Sequence, residues 1–270
     1  MTTATRRIGC IGAGNMGGAI LSRLAAAGDP SSLSVYDIAA AKAEALAHGT
    51  GINAAKSPEE LARASEILII AVKPDTVAAS LDAIKGAIAA DCIIVSIAAG
   101  ISITAMEKIV GPSRKIVRVM PNTPAMVGEG MSVLSPNDSV DENSLIEVER
   151  IFSAIGRVLV LPEKLMDAVT GLSGSGPAYV FTFIQALADG GVKLGIPRDK
   201  ALVLAAQTVM GSARYLLESG EDPMALRGKV TSPGGTTIEG IHVLERSGFS
   251  GIVMDAVEKA AQKSQRLGEK

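Results

Sequence analysis

The sequence predicts a Rossmann-type, doubly wound α/β domain at the N-terminus, followed by an all-α domain at the C-terminus. Three observations carry this. A glycine-rich turn joins an apolar run to a helix-periodic one near the start. Continuous apolar runs then alternate with helical signals as far as Pro162. Beyond Pro162 the pattern is helical throughout. The expected division is therefore 1–162 for a dinucleotide-binding domain and 163–270 for a helical one.

The first element is a short buried strand over Arg6 to Ile11. It runs into Gly12, Ala13, Gly14, Asn15, Met16 and Gly17, after which Ala19, Ile20, Leu21 and Leu24 recur with helical spacing. This is GxGxxG between strand and helix, the context that makes the motif a dinucleotide fingerprint. Gly12, Gly14, Asn15, Met16 and Gly17 are thus candidate cofactor residues. The next strand, Leu33 to Tyr36, ends at Asp37, where a ribose-binding acid belongs.

A helix follows from about Ala39 to Ala47, and Ile52 to Ala54 reads as a short strand. Ser57, Pro58 and Glu60 mark a capped helix start. Glu66 to Val72, Cys92 to Ile97 and Lys115 to Met120 are apolar runs of the kind found in strands covered on both faces. They end in Val72-Lys73-Pro74, Ala98-Ala99-Gly100 and Pro121-Asn122-Thr123-Pro124. In an open parallel sheet, ligands bind beyond the carboxyl ends of strands, so these turns border one crevice with the glycine turn. Strands over Ser132 to Leu134 and Arg157 to Leu161 flank a helix from about Glu142 to Ala154.

The second half opens a long apolar helix at Gly174-Ser175-Gly176-Pro177, reaching about Leu194. Gly195-Ile196-Pro197 interrupts it and starts another, to about Leu217. Helical material near Asp222 to Arg227 precedes Thr231-Ser232-Pro233-Gly234-Gly235-Thr236-Thr237, and a last helix runs from about Ser250 to Leu267. In the 231–237 stretch Ser232 is expected as N-cap and Pro233 as the first helical residue. Gly234 and Gly235 let an anion approach their N–H groups, and a helix start favours carboxylate or phosphate. Tyr179, Val180, Phe181, Phe183, Ile184, Leu187 and Val192 cover more than one face of the first helix. A helix apolar nearly all round needs cover on most sides, so an intertwined homodimer is expected.

The 270 residues include 26 Lys or Arg and 28 Asp or Glu, with net charge −2 and no basic cluster. Nucleic acid is not an expected partner. Hydrophobic residues make up 47 % and Trp is absent, so the core must be aliphatic. Cys10 and Cys92, without metal-type spacing, read as buried thiols. The two histidines, His48 and His242, are isolated, and no metal site is expected. No signal core or membrane-length run is present in the sequence, and a cytoplasmic protein is expected.

Taken together, GAGNMG at the start, AVKP at 71–74, NTP at 122–124, DAVTGLSGSGPAY at 167–179, ALADGGVKLG at 186–195 and VTSPGGTTIEGIHVLE at 230–245 resemble the pyrroline-5-carboxylate reductases over essentially the whole chain. The resemblance implies a helical domain forming an interlocked dimer, with rings of dimers up to a decamer. It implies reduction of the C=N bond of 1-pyrroline-5-carboxylate to L-proline, the last step of proline biosynthesis. It assigns the substrate carboxylate to Ser232, Gly234, Gly235, Thr236 and Thr237, with Glu163 nearby. Thr237, supported by Ser232, becomes the candidate catalytic hydroxyl at the imine nitrogen. Ala71, Val72, Lys73, Pro74, Ala98, Ala99 and Asn122 match cofactor-contacting positions, and Lys229 falls where relatives reach the partner subunit's cofactor.

The resemblance implies NADP(H). Asp37 departs from it, since a carboxylate accepts from a ribose diol and repels a 2′-phosphate, and so points to NAD(H). A β-hydroxyacid-type dehydrogenase would need Lys and Asn where the chain has Val180 and Phe183. A dinucleotide sensor without turnover would have no use for a second anion site.

Overall fold

The computed structural model describes residues 6–268. By its contacts the chain divides into two compact units, residues up to Ser175 together with those from Lys259 onward, and Gly176–Glu258.

The first unit is built on β1 (Ile8–Ile11), β2 (Leu33–Tyr36), β3 (Asn53–Ala54), β4 (Ile67–Ile70), β5 (Ile93–Ser96), β6 (Lys115–Met120), β7 (Gly130–Pro136) and β8 (Gly156–Val160). They form one sheet of order β3-β2-β1-β4-β5-β6-β7-β8. Order reverses at β1, whose neighbours β2 and β4 both run parallel to it. That reversal is the switch point where a doubly wound sheet opens a crevice.

Helices α1 (Asn15–Ala27), α2 (Ala40–Thr50), α3 (Pro58–Ala64), α4 (Pro74–Ile84), α5 (Ile103–Val110) and α6 (Glu142–Ser153) cover the sheet. Alternation within β4 shows the two faces: Ile67 and Ile69 join a core with Ile20, Leu21, Val148 and Phe152. Leu68 and Ile70 join the other, with Leu61, Leu81, Ile84 and Met106. Side chains two apart share a face, so a strand apolar at every position belongs between two helical layers.

The sheet is not wholly parallel: β7 pairs antiparallel with β6. Only a single-turn 3₁₀ segment, Thr123–Val127, lies between them. A parallel return needs a crossover of a dozen residues or more, so the chain doubles straight back. β8 then pairs parallel with β7 through the α6 crossover.

After β8 the chain makes a 3₁₀ turn (Glu163–Leu165), the single helical turn α7 (Met166–Val169) and a π turn (Thr170–Gly174). Met166 and Val169 pack with Val133 of β7. This segment therefore packs with the first unit, whose contacts run to Ser175.

The second unit contains α8 (Gly176–Lys193), α9 (Arg198–Ser219), α10 (Pro223–Lys229), α11 (Thr236–Arg246) and the start of α12 (Phe249–Gly268). α8 and α9 meet through Ala188, Ala201 and Ala205, small residues that let helices approach closely. The rings of Phe183 and Phe249 lie 5.9 Å apart, tying α8 to α12. Much of the unit's apolar surface is bare in the single chain, including Val180, Phe181, Val203, Met210 and Met254.

Candidate active site

The glycine turn leaves β1 at Gly12, whose φ of 111° suits glycine and disfavours other residues. A Cβ there would stand 2.5 Å from the carbonyl oxygen of Ala71, at the end of β4. The Gly12 N–H donates to Tyr36 O at 2.7 Å and the Ala71 N–H to Ile11 O at 2.8 Å, so the ends of β1, β2 and β4 are locked together. Gly17 packs the first turn of α1 onto β1: a Cβ would meet Gly12 O at 2.2 Å and Cys10 Sγ at 3.3 Å. At Gly14, the N-cap of α1, a Cβ would meet nothing within 4 Å. This open space lies before a helix start with its free N–H groups, the requirement of a pyrophosphate. The residues fit a dinucleotide here.

Asp37 closes the turn from the other side. Its Oδ2 accepts from the Ala13 N–H at 2.8 Å and its Oδ1 from the Ala39 N–H at 2.9 Å. Beside it opens a cleft of about 360 Å³, lined by Gly12, Tyr36, Asp37, Ile38, Val72 and Thr76 among others. Among the described residues no Lys or Arg lines it. Ile38 is 95 % exposed, an apolar surface at the mouth of the cleft. Lys73 caps α4, with Pro74 as its first residue, and Thr76 Oγ1 donates to Lys73 O at 2.8 Å.

Cys10 lies fully buried under this turn, its thiol pushed up to about 12 by burial and then by the charge of Asp37. Cys92 is likewise pushed up to about 12, first by burial. Both are packing residues.

Ala98 and Ala99 follow β5, Ala98 buried and Ala99 partly so. Asn122 follows β6 with its amide engaged: Nδ2 donates to Ser173 O at 3.1 Å and Oδ1 accepts from the Met131 N–H at 2.8 Å. It braces the strand end. Glu163 Oε1 accepts from the Ile103 N–H at 2.7 Å and from Arg118 Nη1 at 3.1 Å.

In the second unit the 231–237 stretch differs from the sequence reading in one respect. Ser232 and Pro233 do not begin the helix. Gly234 takes φ 65°, a left-handed residue that cannot continue a right-handed helix, and α11 begins at Thr236 with Gly235 as N-cap. The Gly235 N–H donates to Ser232 O at 3.1 Å, closing a turn, so it is not free for an anion. The N–H groups of the first helical turn start at Thr236, and Thr237 lies in that turn. Lys229, at the end of α10, is paired with Glu221 at 2.6 Å.

In the first unit Ile38 and Arg118 escape the motif reading, and Asp167 enters it only as the first residue of the 167–179 stretch, without a role. Arg118 carries a signal nonetheless, as a cation inside an apolar run that must be buried. Such a charge demands a carboxylate partner.

A family model described as pyrroline-5-carboxylate reductase dimerisation matches residues 163–267. One described as NADP oxidoreductase, coenzyme F420-dependent, matches 7–100. The pyrroline-5-carboxylate reductase of Escherichia coli (strain K12) is 45 % identical over 98 % of this chain and 99 % of its own length. The chain belongs to the pyrroline-5-carboxylate reductase family. The Arabidopsis thaliana pyrroline-5-carboxylate reductase is 42 % identical over 97 % of this chain and 96 % of its own. Among solved structures, the Coxiella burnetii pyrroline-5-carboxylate reductase superposes with a TM-score of 0.93 at 32 % identity, over 98 % of this chain and 100 % of that one. The Plasmodium falciparum pyrroline carboxylate reductase with NADP bound gives 0.88 at 37 % identity, over 98 % of each chain. Family membership accounts for the Rossmann-type unit followed by a helical dimerisation region. Among the described residues no helix is long and apolar enough to cross a membrane.

Proposed function

We propose that the protein reduces the C=N bond of 1-pyrroline-5-carboxylate to give L-proline, the last step of proline biosynthesis, with NAD(P)H as reductant. The observation that carries this is near-full-length identity of 45 % to a reductase of that name, with the SPGGTT turn intact. Bound at the glycine turn, the reduced dinucleotide supplies the hydride.

The chain's own work is placement. Gly12, Gly14, Asn15, Met16 and Gly17 receive the pyrophosphate. Ala71 to Pro74, Ala98, Ala99 and Asn122 line the remainder of the cofactor's path. The first turn of α11, starting at Thr236, holds the substrate carboxylate, with the Ser232 hydroxyl and Gly234 beside it and Gly235 shaping the turn rather than donating its N–H. Thr237 presents its hydroxyl to the imine nitrogen and holds a proton there, which keeps the neighbouring carbon electrophilic. Glu163 supports the substrate side from the start of the helical region, 163–270. The bare apolar faces of α8, α9 and α12 form the dimer, with rings of dimers, up to a decamer, as the larger assembly. The working compartment is the cytoplasm.

NADH is the preferred reductant. Asp37 and the absence of a cation among the described lining residues disfavour a 2′-phosphate, while Ile38 offers the adenine an apolar face. Dinucleotide oxidation on adding 1-pyrroline-5-carboxylate tests the whole reading. No oxidation of either dinucleotide by the pure, folded protein would remove it.

A further inference from the structure

Arg118 sits in the middle of β6 with a side chain only 7 % exposed. A guanidinium has five donors and cannot lose its charge, so its surroundings must answer it. They do so with two carboxylates from the segment after β8: Glu163 Oε1 at 3.1 Å and Asp167 Oδ1 at 4.0 Å. A well-packed apolar cluster would serve stability as well as a buried ion network. What the charges add here is direction, because each carboxylate also holds a second group.

Glu163 Oε1 accepts from the N–H of Ile103, the first residue of α5. This fixes the far end of the loop that leaves β5. Asp167 Oδ1 accepts from Ser264 Oγ at 2.6 Å, and Ser264 is buried on the closing turns of α12. One turn later α12 ends against the same loop: a Cβ on Gly268 would come within 2.5 Å of Gly100 O. Gly100 itself has φ 77° and faces Leu267 and Gly268. The loop carrying Ala98 and Ala99 is thus gripped at Gly100 by the helix end and at Ile103 by Glu163, with Arg118 between the grips.

We propose that Arg118, Asp167 and Ser264 are positioning residues that tie the last turns of α12 to the 98–103 loop and so set the dinucleotide-facing backbone of Ala98 and Ala99. This rests on the reading above that those alanines touch the dinucleotide. The ligand concerned is the nicotinamide dinucleotide, and the Ser264–Asp167 arm of the network is the one that does not pass through Glu163.

The test uses the full chain with Ser264→Ala, Ser264→Thr and Arg118→Lys. NADH affinity is measured by calorimetric titration, KM for the imine acid by turnover, and folding by thermal melting. Loss of the Ser264–Asp167 bond raises the NADH dissociation constant only by the part of its worth that differs between free and bound protein, at most about tenfold. Ser264→Ala should show that rise, with KM for the imine acid unchanged and the melting midpoint nearly so. Ser264→Thr, which keeps the hydroxyl, should restore affinity. Arg118→Lys keeps the charge without the fork, and should weaken NADH binding in the same direction. Unchanged NADH affinity in Ser264→Ala overturns the proposal, as does a loss that tracks melting and is not restored by Ser264→Thr. A wild-type protein that binds no dinucleotide overturns both this inference and the functional reading.

Discussion

Thr237 lies one residue into α11, where threonine often does no more than bond its own backbone. Its hydroxyl makes the sharper claim that chemistry depends on it. Thr237→Ala should lower kcat by about 100-fold, the scale of a positioned proton donor, while the dinucleotide dissociation constant stays put. Single-turnover kinetics with direct binding separates the two, and unchanged turnover excludes Thr237 from the mechanism. Asp37 is the other decisive residue. Its carboxylate holds both the Ala13 and Ala39 N–H groups, so Asp37→Asn keeps one acceptor and loses the negative charge. The ratio of kcat/KM for NADH over NADPH should fall about fivefold or more in that variant, one charge at close range being worth about 1 kcal/mol or more. An unchanged ratio would mean that selectivity resides elsewhere.

Helix α6 shows how an element is anchored. Asp141 caps it, accepting from the Ser144 N–H at 2.8 Å, and Lys115 at the start of β6 reaches the same carboxylate at 2.5 Å. Lys115 and then the Ser144 contacts hold the Asp141 carboxyl well below the ordinary carboxylate range. A depressed folded value means that this stability is present above the unfolded value, near 3.8, and disappears as pH falls through the folded one. Asp141→Asn, still a good cap, should therefore flatten the fall of the urea midpoint on acidification below about pH 4. A wild-type slope in the variant would mean that Asp141 carries none of it.

Elements are also where reading a sequence meets its limits. The strands β4 and β5 are legible because their unbroken apolar runs between turns, Ile67 to Ile70 and Cys92 to Val95, leave few alternatives. The antiparallel return of β7 is hidden, because strand direction is decided by connection length rather than by residue type. The 163–175 segment has no signature, since 3₁₀, α and π turns in succession share no common period. At α11 the Ser232-Pro233 pair satisfies the rules for a helix start. Which glycine then takes a left-handed turn is decided by the fold, and Gly234 moves the start to Thr236. The glycine turn after β1 is legible as a motif, whereas the Arg118 pairing joins residues remote in sequence.

At the scale of the whole molecule, the single chain leaves much apolar side-chain area uncovered in its helical unit. Phe181 of α8 is 64 % exposed and Met254 of α12 is 71 % exposed. A chain of this family with a dimerisation region should sediment as a dimer or a multiple of it at micromolar concentration. Phe181→Glu should shift that distribution towards monomer, because a buried unpaired charge costs several kcal/mol. A wild-type monomer by sedimentation velocity would leave those faces without a purpose.

The cysteine beneath the nucleotide turn has a practical consequence. At neutral pH almost none of Cys10 is thiolate, and thiolate is the form that reacts with alkylating agents. Iodoacetamide should leave the native protein unmodified until the middle strands part. The pace of labelling at this atom then becomes a clock for transient opening at the centre of the sheet.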